Sequence, residues 1–236
     1  MGYSALDAVD AIEQFWSNTR KDNHRYQSWE HCYAVFSKAR EQDSASRDYE
    51  LLCLHLAFYL ASWGMYRGSS FLLQKNYLCH MEVVREILDS KYDKLQGLDC
   101  SEESIDGSIK LLMELKSRIV ELYSVVKNTV DNERLDKDSI SDTLVTKVLL
   151  GTLGCTPAYD RYFVATAKTL KIAPRFSEKS IRRLAEYYRQ NLEPINLRKE
   201  YAPGKLYPQM KILDMAFWQM GNSPKDGTLA NFRGIM

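Results

Sequence analysis

Apolar side chains recur at helical spacing along most of this sequence, and this periodicity limits the fold more than any other feature. No segment alternates apolar and polar residues in short runs bounded by turns, as strands do. The first segment shows the helical spacing clearly, with Leu6, Val9, Ile12, Phe15 and Trp16 on one face. The sequence therefore predicts an all-α fold of about eight or nine helices in a single compact domain. Two lobes, residues 1–130 and 139–236, are the alternative division.

Capping residues and glycines indicate where several helices begin and end. Ser4 and Ser177 are good N-caps, because a serine hydroxyl accepts a hydrogen bond from a free backbone N–H. Gly154 follows an apolar helix and predicts its end. Apart from the first segment and a helix around Trp29–Phe36, the spacing predicts helices over 48–63, 78–90, 105–130, 139–153, 157–171, 178–190 and 208–220. The polar stretch 91–104 is interpreted as a connector.

The longest apolar run, Leu51 to Tyr66, contains 16 residues and includes His55 and Ser62. A helix that spans a membrane needs about 20 apolar residues. We therefore interpret this run as a central helix that is buried on all sides, and we expect no membrane association.

The cysteines indicate the compartment. Five cysteines are scattered along 236 residues without a Cys-x-x-Cys pair, whereas secreted disulfide scaffolds are shorter and richer in cysteine. Residues 1–20 lack the basic and apolar segments of a signal peptide. We expect reduced, buried thiols, a cytoplasmic protein and no metal site.

The near-neutral formal charge of +1 hides an uneven distribution. Residues 86–142 contain 8 Lys/Arg and 14 Asp/Glu, whereas residues 168–211 contain 11 Lys/Arg and 4 Asp/Glu. The two segments could neutralise each other across a packed fold. Alternatively, the basic segment binds DNA or another anionic ligand, since cations beside aromatic rings are typical of single-stranded nucleic-acid sites. The candidate cations are Arg175, Lys179, Arg182, Arg183, Arg189, Arg198 and Lys199.

The sequence lacks the common catalytic motifs. It contains no Walker loop, no Gly-x-Gly-x-x-Gly, no Gly-x-Ser-x-Gly and no His-Glu-x-x-His. This disfavours P-loop NTPases, dinucleotide-binding enzymes, α/β-hydrolases and zinc metalloproteases. We expect no cofactor.

The stretch LVTKVLLGTLGCTPAYDRYF, residues 144–163, is the strongest candidate for chemistry. It predicts an apolar helix that ends at Gly154 and a second helix that Pro157 opens, with Asp160 in its first turn. An acid there is favoured by the helix dipole and by free N–H groups. A purely structural role for Asp160 in starting the helix is the alternative.

This stretch resembles the second half of the signature of the helix-hairpin-helix DNA glycosylase superfamily. The resemblance covers about 20 of 236 residues, and the preceding DKDSISDTLVTK lacks the glycines of the family's hairpin. It implies an all-helical scaffold on which Asp160 supports the departure of a damaged base from a flipped nucleotide. Bifunctional members add a lysine nucleophile, for which Lys147 is the candidate here.

A second candidate follows the apolar run. The sequence WGMYRGSSFLLQ, residues 63–74, sets Arg67, Ser69 and Ser70 among glycines. A cation and hydroxyls at the mouth of a core suit a small anion, and glycines let backbone N–H groups approach it. The alternative is a helix–helix turn, with Ser69 or Ser70 as an N-cap and Arg67 paired to an acid.

Three functions are therefore open. The chain is a DNA-associated protein with a glycosylase-like scaffold and base-excision chemistry, a non-enzymatic helical interaction or regulatory protein, or a small-anion binder centred on Arg67. The sequence does not indicate an oligomeric state.

Overall fold

Nine α-helices account for most of the described residues. The computed structural model describes residues 3–128 and 140–223, apart from the side chains of 102–104. The helices are α1 (Ala5–Thr19), α2 (Gln27–Arg40), α3 (Tyr49–Ser62), α4 (Met81–Ile87), α5 (Glu102–Asn128), α6 (Asp142–Thr152), α7 (Arg161–Thr169), α8 (Glu178–Asn191) and α9 (Gln209–Asn222). Short 3₁₀ turns lie at Ser44–Ser46, Phe71–Gln74, Tyr77–His80, Ser90–Leu95 and Glu193–Ile195. The predicted all-α class is confirmed.

The predicted caps form as expected. The Ser4 hydroxyl accepts from the Asp7 N–H while the Asp7 carboxylate accepts from the Ser4 N–H, which makes a capping box at α1. Ser177 accepts from the Ser180 N–H at the start of α8. These local signals set the helix starts without help from distant residues.

Helix α3 differs from the expectation that it is buried on all sides. Leu51, Leu54 and Phe58 on its outer face are 46%, 50% and 60% exposed, whereas Leu56 and Leu60 are fully buried. The helix is apolar around its circumference, so periodicity did not distinguish its two faces. Among the described residues, no helix is both long and apolar enough to cross a membrane.

Three local predictions are corrected. Helix α7 begins at Arg161 rather than at Pro157, because Asp160 provides the N-cap. The predicted connector 91–104 contains most of a 3₁₀ turn and the first residues of α5. A short antiparallel ribbon joins β1 (Glu200–Ala202) to β2 (Lys205–Leu206). Strands of this length are too short to show alternation.

One hydrophobic core connects the two ends of the described chain. Helix α1 packs on α9, α7 also packs on α9, and α6 packs on α2 and α3. The indole of Trp29 in α2 is buried, and its Nε1 donates to the Leu150 carbonyl of α6 at 2.9 Å. This packing brings the end of α3, the middle of α6 and the start of α7 to one place. The lobe boundaries at residues 130 and 139, and the seam 131–138, lie outside the described residues.

Candidate functional site

Helix α6 carries Lys147 into the interior of the protein. Ser141 caps the helix by accepting from the Leu144 N–H, and the residues from Leu144 to Thr152 are all buried. The Lys147 side chain is only 6% exposed, and its Nζ donates to the Trp63 carbonyl at 2.8 Å. A lysine in such a position is partly desolvated while one face of its amine reaches a cavity.

The helix ends at Gly154, as predicted, and the chain then reverses. Gly154 has a φ of +62° and donates to the Leu149 carbonyl at 3.0 Å. A Cβ atom at this residue would lie 2.7 Å from Cγ of Pro208. Both the left-handed backbone and the lack of space require glycine here.

Side chains from α6 and α9 hold the segment from Gly154 to Asp160. The Ala158 N–H donates to Oδ1 of Asp214 at 3.0 Å, and the Tyr159 N–H donates to Oγ1 of Thr146 at 2.9 Å. The Thr143 hydroxyl donates to the Tyr159 carbonyl at 2.8 Å. These bonds fix the backbone immediately before Asp160.

Asp160 has both a structural and an electrostatic role. Its Oδ1 accepts from the Tyr162 and Phe163 N–H groups at 3.1 and 3.2 Å, which caps α7 and confirms the expected contact with free N–H groups. Its Oδ2 lies 3.9 Å from Nζ of Lys147. The structure therefore brings together the two residues of the stretch 144–163 that were predicted to carry chemistry.

Both residues line a cavity of about 600 Å³. Four cationic side chains and one carboxylate contribute to its walls: Arg25, Arg67, Lys147, Arg161 and Asp160. Its aromatic wall consists of Tyr26, Trp63, Tyr162 and Trp218. Cavities of this size are typical of small-molecule sites, and this one combines surfaces for an aromatic ring and for an anion.

Burial shifts the pKa values of the central pair. Desolvation lowers the pKa of Lys147, and Arg67 and Arg25 act in the same direction, while the Asp160 and Asp214 carboxylates oppose it. Desolvation likewise raises the pKa of Asp160, against the effect of Lys147. The uncharged amine is the nucleophilic form of lysine. Because the pKa of Lys147 is lowered, a larger fraction of its amine is uncharged than on an exposed lysine.

Only part of the second predicted site faces the cavity. Arg67 lines it, whereas Ser69 and Ser70 do not, and Ser70 instead caps the 3₁₀ turn Phe71–Gln74 by accepting from the Leu72 N–H. The serine capping considered as an alternative is therefore present. Arg67 joins the Lys147–Asp160 site rather than forming a separate one.

The seven basic residues predicted to bind nucleic acid lie on α8 and its flanking segments, outside the walls of the cavity. Arg182 pairs with Asp106 of the acidic segment, Arg183 pairs with Glu186, and Lys199 pairs with Glu13 at 2.7 Å. Arg189 donates to the Cys100 carbonyl, and Arg198 donates to Asn196. Arg175 and Lys179 are exposed. Much of this basic segment therefore makes intramolecular contacts.

Sequence reasoning missed several residues of the site. Arg25 lies in the connection between α1 and α2. Its Nη1 donates to the Ser62 carbonyl at 3.0 Å, and its guanidinium lies 4.8 Å from the Trp63 ring centre. Arg161 directly follows Asp160, and that adjacency is the one signal that could have identified it. Trp218 comes from α9, and nothing local to it indicates a cavity.

The cysteines do not contribute to the cavity. Cys32, Cys53, Cys100 and Cys155 are buried, Cys79 is partly buried, and all five thiols are free. Within residues 3–128 and 140–223, no group of three His, Cys, Asp or Glu side chains is placed to hold a metal ion.

Comparison of the chain with known protein families, with curated proteins and with solved structures gives no match.

Proposed function

We propose that this chain is a DNA-associated protein with a glycosylase-like helical scaffold, whose cavity accepts a nucleotide flipped out of the duplex. The observation that carries the proposal is the convergence of Lys147 and Asp160, 3.9 Å apart, in a cavity with aromatic and cationic walls. Enzymes that act on a base extrude it into a pocket and stack it on aromatic or apolar side chains.

The walls of the cavity match the parts of a nucleotide. Trp63, Trp218 and Tyr26 provide ring surfaces for a base, and stacking on such rings contributes about 1–3 kcal/mol per base. Arg25, Arg67 and Arg161 provide cations for the flanking phosphates, with guanidinium groups that suit phosphate oxygens.

In the proposed reaction, the neutral Lys147 amine attacks C1′ of the flipped nucleotide. A bond forms between Nζ and C1′, the bond between C1′ and the base breaks, and the base leaves with the electron pair. Asp160 accepts the proton that the amine loses, and the departing base is protonated from the surroundings. The bond between C1′ and O4′ then breaks as the nitrogen lone pair forms a double bond between Nζ and C1′. O4′ takes the proton held by Asp160, which leaves a protonated Schiff base at Lys147. The lowered pKa of Lys147 and the raised pKa of Asp160 both favour these proton positions.

Borohydride trapping tests this proposal. Short DNA that carries an abasic site presents the sugar aldehyde, and borohydride reduces any Schiff base to a stable amine adduct. We expect a covalent adduct that mass spectrometry maps to Lys147 and that Lys147→Met eliminates. Lys116→Met is the control, because Lys116 also donates to a carbonyl, that of Phe176 at 2.7 Å, but lies on α5 away from the cavity. Wild-type protein without an adduct at Lys147 would exclude this chemistry.

A small anion is the second candidate ligand. Three arginines contribute to one cavity, and a free nucleoside monophosphate would satisfy the same walls without DNA. Thermal shift with inorganic phosphate, a nucleoside monophosphate and short DNA distinguishes the candidates. Stabilisation by the monophosphate alone would favour a small-molecule site.

A further inference from the structure

A second ion pair lies beneath the cavity, on α9. Nζ of Lys211 donates to Oδ2 of Asp214 at 2.8 Å, and the two side chains are 2% and 6% exposed. Burying two charges costs several kcal/mol per ion, so such a pair is weak evidence for stability. Its position next to Lys147 and Asp160 points instead to a role in the site.

Aromatic rings hold the Lys211 ammonium in place. Its Nζ lies 4.7 Å from the ring centre of Phe15, 5.1 Å from that of Trp29 and 5.9 Å from that of Trp63. Cation–π attraction to several rings is strong where water is excluded. Lys211 therefore has little freedom to move, and it holds Asp214 in one orientation.

Asp214 connects this pair to the backbone of the site. Its Oδ2 contacts Lys211, which leaves Oδ1 to accept from the Ala158 N–H at 3.0 Å. Ala158 lies two residues before Asp160. Any displacement of Asp214 would therefore move the segment that presents the Asp160 carboxylate.

The two ion pairs also share one narrow space. A gap of about 10 Å³ has Lys147, Asp160, Lys211 and Asp214 on its walls, together with Tyr59. Arg25 and Arg67 line the cavity on which Lys147 also lies, and their charges lower the pKa of Lys147. Charges interact more strongly in a low-dielectric interior than in water. The Asp214 carboxylate opposes the lowering of the Lys147 pKa, as the Asp160 carboxylate does.

We propose that Asp214, held by Lys211, is a positioning residue that fixes the backbone before Asp160 and supplies negative charge beneath the Lys147 amine. This inference rests on the proposed function, in which Lys147 is the nucleophile. The Lys211–Asp214 pair then has a function that offsets the free-energy cost of burying two charges.

Reductive methylation of the intact protein with formaldehyde and cyanoborohydride measures the reactivity of Lys147 without any DNA. Mass spectrometry gives the yield at Lys147 across a pH series for the wild type, for Asp214→Asn and for the double variant Lys211→Met/Asp214→Asn. The asparagine oxygen can still accept from the Ala158 N–H, so this backbone contact is kept while the charge is removed. The double variant leaves no unpaired buried charge, which protects against misfolding.

We expect Asp214→Asn to shift the pH midpoint of Lys147 labelling downward, because a carboxylate that stabilises the ammonium has been removed. The double variant should shift it in the same direction but less, because a neighbouring ammonium is removed as well. Below the midpoint, the yield should rise by about threefold or more, since the amine fraction changes tenfold per pKa unit. Asp142→Asn is the matched control: Asp142 is also a carboxylate that pairs with a lysine, Lys116, and accepts from a backbone N–H, that of Phe176. It should leave the midpoint unchanged.

The outcomes separate the two proposals. A wild-type Lys147 that does not react, or that titrates like an exposed lysine, overturns the nucleophilic role in the proposed function. A reactive Lys147 whose midpoint is the same in the wild type and in both Asp214 variants overturns the charge contribution of Asp214, and with it this inference, but leaves the nucleophilic role of Lys147 intact. An equal shift in Asp142→Asn also overturns it.

Discussion

Nζ of Lys147 lies 3.9 Å from Oδ2 of Asp160, while its hydrogen bond goes to the Trp63 carbonyl at 2.8 Å. The separation of amine and carboxylate exceeds a normal hydrogen bond. Both groups instead face the same cavity. A bound ligand can therefore reach both groups and transfer a proton between them, because no direct hydrogen bond joins the amine to the carboxylate.

The capping role of Asp160 predicts a difference between two substitutions. Asp160→Ala leaves the Tyr162 and Phe163 N–H groups without their side-chain acceptor, whereas Asp160→Asn retains one. We expect the alanine variant to be about 1 kcal/mol less stable than the asparagine variant, the usual value of an N-cap. Urea denaturation at neutral pH measures the difference. Equal stability of the two variants would contradict the capping role.

Both Asp160 variants should lose the Lys147 adduct with abasic DNA, because neither can accept the proton. The asparagine variant is the decisive one, since its fold is retained. Full adduct formation by Asp160→Asn would show that Asp160 only starts the helix.

The buried His80 makes the free energy of unfolding depend on pH. Its Nε2 lies 2.7 Å from the Tyr66 hydroxyl and its Nδ1 lies 2.7 Å from the Tyr123 hydroxyl, and burial lowers the pKa of His80 to about 3. The unfolded chain takes up a proton near pH 6.5, whereas the folded chain does not. The free energy of unfolding should therefore fall by about 1.4 kcal/mol per pH unit as the pH drops from 6.5 toward 3.

The matched variant for this measurement is His80→Gln, which can bond to both tyrosines but does not titrate. Its denaturation midpoint should fall less steeply over the same pH range. Parallel curves for the wild type and the variant would mean that His80 is charged in the folded state.

Helices α7 and α9 are in tight contact at Gly221, where the backbone of Tyr162 leaves no room for a side chain. A Cβ atom at Gly221 would overlap the Tyr162 carbonyl oxygen, so the backbone of one helix would have to shift. We expect Gly221→Ala to cost about 1–3 kcal/mol, as overpacking does, and to weaken any ligand binding, because Tyr162 lines the cavity.

Gly107 provides the control for this substitution. It is also a helical glycine, in α5, but among the described residues no side chain or neighbouring element lies within 4 Å of the position that a Cβ atom would take. Gly107→Ala should stabilise the protein by about 0.5–1 kcal/mol. Thermal unfolding of both variants measures the contrast, and a destabilised Gly107→Ala would contradict it.

The location of the cations predicts which arginines matter for DNA. Arg67 and Arg161 line the cavity, whereas Arg182 and Arg183 already pair with Asp106 and Glu186. Charge reversal of Arg67 and Arg161 should weaken binding to short DNA and lower its salt slope by about 1 per lost phosphate contact. Reversal of Arg182 and Arg183 should have a smaller effect. The opposite order would place the DNA on α8, as the sequence alone predicted.

Helix boundaries could be predicted from the sequence because their signals are local. Ser4, Ser177 and Gly154 act on backbone groups within a few residues, so the predicted starts of α1 and α8 and the end of α6 agree with the structure to within a residue or two. Helix α7 begins at Arg161, four residues after the predicted start at Pro157. The pattern is ambiguous, because a proline in a first turn and an aspartate at an N-cap both indicate the start of a helix, and here they lie three residues apart.

Lys147 and Asp160 could be identified as candidates because they lie in one short stretch with a recognisable pattern. Arg67 was a candidate only for a separate anion site, and neither Arg25 nor Trp218 could be identified. Arg25, Arg67 and Trp218 line the same cavity from separate segments of the chain. Lys211 and Asp214 lie three residues apart in the sequence, but only the fold places Asp214 against the Ala158 N–H.

The sequence by itself determined the helical class, the order of the helices and most of their ends, since periodicity and capping depend on near neighbours. Only the tertiary structure decided which face of α3 is exposed, which cations line the cavity and which ones are paired. Burial and electrostatics depend on what packs against a side chain, and at this site the packing partners come from α2, α3, α6, α7 and α9 and the segments beside them. Lys147 is an ordinary helical lysine in the sequence, and its altered pKa arises from the surroundings that the fold supplies.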